Sequence, residues 1–186
     1  MNPIFAAALE VQAFCESKDW RFCIIGALAV QRWGEPRLTR DVDLTILSGF
    51  GSEERWIGPL LEKFGPRRSD ARDFALRTRV VLLEASNNVP LDVSLGALPF
   101  EERVIVRATS HQFLTDVELR TCSAEDLIVL KSFANRTKDW LDIEGVVVRQ
   151  DRHLDIPLIW RELNPLIDLK EEPEIRTRLR KLLESA

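Results

Sequence analysis

The stretch CIIGALAVQRWGEPRLTRDVDLTIL, Cys23–Leu47, decides how the chain is read. Its end, Asp41-Val42-Asp43-Leu44-Thr45-Ile46-Leu47, alternates polar and apolar residues, the period of a strand with one buried face. Asp is depleted in strands, yet Asp41 and Asp43 stand two residues apart and so point the same way. Side chains at that spacing lie about 6.5–7 Å apart along a strand. At an effective dielectric of about 20 they repel by roughly 2 kcal/mol. Either water screens this repulsion or a cation sits between the carboxylates. Upstream, Arg21–Ile25 forms a short apolar strand that Gly26 breaks. Ala27–Trp33 then has helical period and is stopped by Gly34, with Pro36 beyond.

Working outward, residues 4–17 have the period of an amphipathic helix. After the turn Ser48-Gly49-Phe50-Gly51, Ser52 is placed to cap a helix running through Phe64. Phe74–Glu84 and Pro90–Leu95 predict two strands of a hairpin around Ser86-Asn87-Asn88. Residues 103–107 and 116–121 add two short strands. From Ser123 the pattern changes. Ser123-Ala124-Glu125-Asp126 carries a capping pattern for a helix to about Ala134, and Thr137–Gln150, Ile156–Leu169 and Pro173–Leu183 are helical too. The expected fold is α/β, a small mixed sheet flanked by helices with a C-terminal helical part. Its division is 1–122 for the α/β core and 123–186 for the helical part, packed as one compact domain.

A chain of 186 residues can bury a proper core, and 45% hydrophobic with 30% charged residues suits an ordinary soluble protein. A net charge of −4 and a pI near 5.4 argue against a general nucleic-acid coat protein but leave room for a local basic groove. Cys15, Cys23 and Cys122 are odd in number and widely spaced, which suits buried thiols in a reducing cytoplasm. No basic region followed by an apolar run opens the chain, and no apolar stretch approaches the roughly 20 residues that cross a bilayer. A cytoplasmic protein without membrane contact is expected.

Three features align. Gly26 lies where a strand meets a helix, so backbone N–H groups there can face a phosphate. Asp41 and Asp43 share a strand face, and Asp92, between Leu91 and Val93, has the polar parity of its own strand. Carboxylates in this arrangement suit Mg²⁺, which prefers oxygen ligands and bridges carboxylates to substrate phosphates. Two such ions could stabilise the attacking and leaving oxygens of an in-line displacement.

Gly26-Ala27, Thr39-Arg40-Asp41-Val42-Asp43-Leu44 and Leu91-Asp92-Val93 together resemble the nucleotidyltransferase superfamily that includes DNA polymerase beta. Its signature is a Gly-Gly or Gly-Ser pair, a helix, an Asp-x-Asp strand and a later third Asp. SAEDLIVLKSFANRTKDWLDIEGV, from Ser123, resembles the helical segment of the AbiEii-type nucleotidyltransferase toxins. The resemblance covers residues 21–150. It implies a metal-dependent transfer of a nucleoside monophosphate from a nucleoside triphosphate to an acceptor hydroxyl. Asp41, Asp43 and Asp92 become metal-ligating and catalytic candidates, with Lys131 steadying phosphates; Gly26, Ala27, Arg40, Lys131 and Asp139 become the nucleotide-site candidates. Mg²⁺, as two ions, is the implied cofactor. A tRNA or other RNA acceptor and an antitoxin protein are the implied partners, in a toxin–antitoxin or phage-defence setting. Ala27 departs from the signature, since it offers a phosphate only its backbone N–H.

Each candidate also has a plainer reading. Asp41 and Asp43 could form a solvated strand face, and Lys131 could snorkel from an apolar helix face. Asp139 could serve the first turn of its helix, and Lys138 with Asp142 has the spacing of an i,i+4 pair. Arg67, Arg68, Arg72, Arg77 and Arg79 could line an acceptor groove for RNA phosphates or be a solvated run. Arg77 and Arg79 are expected on one strand face, and Arg37 and Arg40 lie close enough in sequence to the carboxylates to touch a triphosphate. Two other functions remain open: transfer to a small molecule of the aminoglycoside kind, and a non-catalytic module for nucleotide sensing or partner binding.

Overall fold

The computed structural model describes residues 2–185. In chain order, the first half runs α1 (Pro3–Ser17), β1 (Phe22–Ile24), α2 (Gly26–Trp33), β2 (Val42–Leu47), α3 (Glu54–Lys63), β3 (Gly65–Pro66) and α4 (Ala71–Thr78). It continues through β4 (Val80–Glu84), β5 (Pro90–Gly96), α5 (Pro99–Arg107), β6 (Thr109–Leu114) and β7 (Val117–Thr121). Helices α6 (Ala124–Ala134), α7 (Thr137–Gln150), α8 (Ile156–Lys170) and α9 (Glu174–Ser185) complete it, with a 3₁₀ turn at Asp151–His153. Two compact units result. One comprises residues up to Leu28 with Leu38–Cys122; the other comprises Ala29–Arg37 with the chain from Ser123 onward. The division therefore runs through α2 and not only at residue 122, where the composition changes.

The first unit holds a seven-stranded mixed sheet in the order β3-β4-β5-β2-β1-β7-β6. Its centre is the parallel pair β2–β5, flanked by the antiparallel pairs β4–β5 and β1–β2. Strand alternation explains the layering. Val42, Leu44, Ile46, Leu91, Val93, Leu95, Val81 and Leu83 are buried in one cluster with Ala7, Ala8 and Val11 of α1 and Ile57 and Leu60 of α3. The opposite face of the same strands therefore carries Asp43, Thr45, Asp92 and Ser94. All three cysteines are buried, and burial pushes the Cys15 thiol up to about 12.

Several local expectations change. Residues 74–78 do not begin a strand. Ala71 and Ala75, one helical turn apart, bury the same face of α4, and Arg79 closes the helix at φ 59° before β4 starts. Ser52 does not cap α3. The helix starts at Glu54, and Glu53 instead accepts a hydrogen bond from Gly51 N at 3.1 Å and pairs with Arg79. Residues 103–107 belong to α5, because Phe100, Val104 and Ile105 bury one side at helical spacing and Glu101 accepts from the N–H groups of Ala97 and Leu98. The strand expected at 116–121 is β7, with β6 as its unforeseen partner on the sheet edge.

The second unit contains α6–α9. Ser123 caps α6, its hydroxyl accepting from Asp126 N at 3.1 Å, as the capping pattern predicts. No helix among the described residues is long and apolar enough to cross a membrane.

Candidate active site

Gly26 opens α2 at φ +61°, a backbone conformation that L side chains rarely adopt. A second constraint is steric. A Cβ built on Gly26 would lie 2.0 Å from Asp43 Oδ2 and 2.7 Å from Asp43 Cβ. The adjacent Ile25 N–H donates to Asp43 O at 2.9 Å, so the start of α2 is held against β2 at that carboxylate. A side chain at position 26 would fill the space that backbone N–H groups need to meet a ligand. Ala27 follows with its methyl buried.

Register brings the next carboxylate in. Asp43 and Asp92 are Cα partners in the parallel β2–β5 pair, so both project from one sheet face on neighbouring strands. Such strands lie about 4.8 Å apart. Asp41 immediately precedes β2 and accepts a hydrogen bond from Thr39 Oγ1 on its Oδ1 at 2.7 Å. Among the described residues, no group of three or more His, Cys, Asp or Glu is arranged to hold a metal ion. Asp92 instead carries an ion pair with Arg67. The hard oxygen donors of Asp41, Asp43 and Asp92 still match the chemistry of Mg²⁺, which commonly takes one or two carboxylates and completes its shell with water and phosphate. Arg40 is exposed close by in sequence. A cavity of about 300 Å³ is lined by Phe50, Val80, Ser94, Leu98 and Glu101, among others. Ser94 and Leu95 at the end of β5 both line it, and none of Gly26, Asp41, Asp43 or Asp92 does.

Lys131 and Asp139 lie in the second unit, at the centre of a buried charge cluster. Lys131 is 5% exposed, and its Nζ donates to Asp139 Oδ1 at 3.1 Å and to Asp142 Oδ2 at 2.6 Å. Asp142 also receives a two-pronged bond from Arg37, at 2.7 and 2.9 Å, and Asp139 receives one from Arg136, at 2.6 and 3.2 Å. Burial pushes the Asp139 carboxyl up, but the bonds from Arg136 and the charge of Lys131 outweigh it and hold the group below its ordinary range. Asp142 is lowered in the same way by Arg37 and Lys131. The ammonium of Lys131 is thus engaged by two carboxylates on a side chain that is nearly all buried. Asp142 pairs with Lys131 and Arg37 in place of the local partner its spacing to Lys138 suggests.

The arginine-rich segment is also engaged. Arg67 pairs with Asp92, Arg68 and Arg77 with Asp70, Arg72 with Glu54, and Arg79 with Glu53. Arg77 and Arg79 do not share a strand face, since one is in α4 and the other is its C-cap. Arg79 ties down the loop above the sheet by donating to Leu95 O, Gly49 O and Ser48 Oγ. Replacing Arg79 by Ala should lower stability by about 2 kcal/mol, the scale for charged hydrogen bonds lost from a partly buried group; urea unfolding measures it. The role of Arg67 at Asp92 and of Asp142 at Lys131 had no signal in the sequence, because both depend on partners brought in by register and helix packing.

No protein-family model matches the sequence, and no curated protein matches it. Solved structures do. ANT(2″)-Ia in complex with adenylyl-2″-tobramycin superposes with a TM-score of 0.56 at 16% identity, over 89% of this chain and 98% of that one. An antigenic nucleotidyltransferase-like protein from Paracoccidioides brasiliensis gives 0.52 at 16%, over 94% and 90%. The lincosamide antibiotic adenylyltransferase LnuA, with lincomycin bound, gives 0.50 at 12%, over 76% and 94%. The chain therefore has the nucleotidyltransferase fold, the mixed α/β architecture that its sequence resemblance implied.

Proposed function

We propose that the protein transfers a nucleoside monophosphate from a nucleoside triphosphate to an acceptor hydroxyl. The observation that carries this reading is Gly26. Its missing Cβ leaves the first N–H groups of α2 beside Asp43, whose strand partner is Asp92. Backbone donors at a helix start suit phosphate oxygens, and here they sit next to carboxylates suited to Mg²⁺. Asp43 and its strand partner Asp92, with Asp41 as a third candidate, would hold the ion once Asp92 leaves Arg67, and the ion supplies neutralisation of the phosphate charge when bound. The N–H groups at Gly26 and Ala27 orient the triphosphate. Asp92 is the base that accepts the acceptor's hydroxyl proton. The acceptor oxygen forms a bond to the α-phosphorus as the bond to the bridging oxygen breaks, and pyrophosphate leaves.

A small hydroxyl-bearing molecule is the acceptor we favour. Each arginine of the Arg67–Arg79 segment already has a carboxylate partner, which weakens it as a groove for RNA phosphates. The cavity of about 300 Å³ at the end of β5 has the volume of a small-molecule site. One structural neighbour is a lincosamide antibiotic adenylyltransferase with lincomycin bound, and another holds adenylyl-2″-tobramycin. An RNA acceptor in an AbiEii-like toxin setting, and nucleotide binding without turnover, are the competing outcomes of one experiment. The protein is incubated with each labelled triphosphate, Mg²⁺, and either a small-molecule extract or total RNA. Label in the small-molecule fraction supports the proposal, label in RNA moves the acceptor, and binding without transfer makes the protein a sensor.

Asp43→Asn gives a separate check. It removes one of two neighbouring negative charges and a good metal ligand. Without metal, its melting temperature should hold or rise slightly; stabilisation by Mg²⁺ with triphosphate should largely disappear, and transfer should fall by at least about 100-fold. A purely structural Asp43 predicts the reverse, a lower melting temperature with activity kept in the folded fraction.

A further inference from the structure

Asp92 stands between a carboxylate and a cation. On one side its register partner is Asp43. On the other, Leu82 of β4 is its partner, and the Arg67 N–H donates to Leu82 O at 3.1 Å as the chain leaves β3. The Arg67 side chain reaches past β4 to make its ion pair with Asp92 Oδ1. The polar face thus reads Arg67, Leu82, Asp92, Asp43 across the strands. Arg67 offsets the repulsion between the two carboxylates when no metal is bound. Yet its seat is incomplete, because Arg67 Nε is sealed from solvent with no hydrogen-bond partner. A guanidinium with one unanswered donor beside a proposed triphosphate site has an evident second set of acceptors in phosphate oxygens, which its planar fork fits well.

Resting on the nucleotidyl-transfer reading, we propose that Arg67 is an internal counter-cation. It holds Asp92 in the metal-free protein, competes with the metal ion for that carboxylate, and turns to the triphosphate when metal and nucleotide load. Asp92 is then free to act as ligand and base only in the loaded site. This arrangement would keep an unloaded site from retaining a divalent ion tightly and would make metal and triphosphate bind cooperatively.

The two halves of this role predict effects of opposite sign. Mn²⁺ binding to the nucleotide-free protein, followed by electron paramagnetic resonance, should be about fivefold tighter in Arg67→Gln than in wild type, the scale of one partly exposed ion pair. Affinity for a non-hydrolysable triphosphate with Mg²⁺ should instead be about tenfold weaker, the scale of a lost charged hydrogen bond. Arg67→Lys, which keeps the charge, should bind Mn²⁺ like wild type. Asp43→Asn serves as the control that loses metal. If Arg67→Gln binds Mn²⁺ no tighter than wild type while Asp43→Asn loses binding, the competition is overturned and the metal reading stands. Tighter Mn²⁺ with unchanged triphosphate affinity overturns the transfer to phosphate. If no protein binds Mn²⁺ and no triphosphate stabilises any of them, the nucleotidyl-transfer reading falls and the counter-cation role with it. Should Arg67→Gln not fold, the Arg67 Nε–H resonance of the wild type decides: it must shift when Mg²⁺ and the triphosphate analogue are added together, and an unmoved resonance overturns the proposal.

Discussion

Gly26→Ala should lower nucleotidyl transfer by about 100-fold and destabilise the protein, whereas Gly49→Ala should leave transfer unchanged and destabilise it less. Both glycines have positive φ, +61° and +70°, so each substitution carries the left-handed strain of about 1–2 kcal/mol for an L side chain. They differ in their surroundings. The methyl of Gly49→Ala meets nothing within 4 Å, while that of Gly26→Ala would lie 2.0 Å from Asp43 Oδ2 and 2.7 Å from Asp43 Cβ. The carboxylate tip can swing away, but the Cβ moves only if β2 or the start of α2 moves. We therefore expect Gly26→Ala to cost roughly 2–3 kcal/mol more than Gly49→Ala, the scale of overpacking in a tight site. Displacing Asp43 by as little as an ångström can lower transfer by about 100-fold. Urea unfolding of both variants, with transfer measured on the folded protein, separates the strain from the clash. Equal loss in the two variants would mean that the approach of Gly26 to Asp43 has no special role.

Lys131→Met should unfold the protein more readily by about 3–5 kcal/mol at neutral pH, because it strands two buried carboxylates with one cation fewer. For a chain of this size that corresponds to a fall in melting temperature of about 10 °C. The pH dependence identifies the cause. In the wild type, Asp139 and Asp142 are held below the ordinary carboxylate range by Arg136, Arg37 and Lys131 in spite of burial. Their contribution to stability is therefore present above the unfolded value near pH 4 and is lost as the pH falls through the lower folded values. Without Lys131, burial is opposed only by Arg136 and Arg37, so both carboxyls stand higher than in the wild type and protonation relieves the variant earlier. The stability gap between wild type and Lys131→Met should shrink between pH 7 and pH 4. A Lys131 that serves mainly to bind phosphate predicts something different, near-normal stability at both pH values with weakened triphosphate binding.

Much of the architecture was legible because it is set by neighbours in the chain. The alternation of Asp41–Leu47 specified β2 and its two faces, and Ser123 with Asp126 specified the start of α6. The break at Gly26 marked a strand-to-helix turn that needs φ +61°. Two segments read as strand are helical instead. Residues 71–78 became helical because a helix buries Ala71 and Ala75 on one face, while Arg79 takes the left-handed conformation that ends it. The segment 103–107 became part of α5 because Phe100, just upstream, extends its buried face with Val104 and Ile105 at helical spacing.

The candidate site divides along the same line. Parity, a property of each strand alone, put Asp43 and Asp92 on polar faces, but only the β2–β5 register made them neighbours. Partner choice among charges was not legible at all. The sequence offered Lys138 as the local partner of Asp142, while helix packing supplied Lys131 and Arg37. It offered Arg67 as one cation among five, while the sheet laid that one on Asp92. Periodicity and capping act over one turn or two residues, so sequence alone determined the elements and which face of each is polar. Coulomb attraction and hydrogen bonding act between whichever groups the fold brings within a few ångströms, so only the tertiary structure decided which charges neutralise one another and which carboxylates share a face.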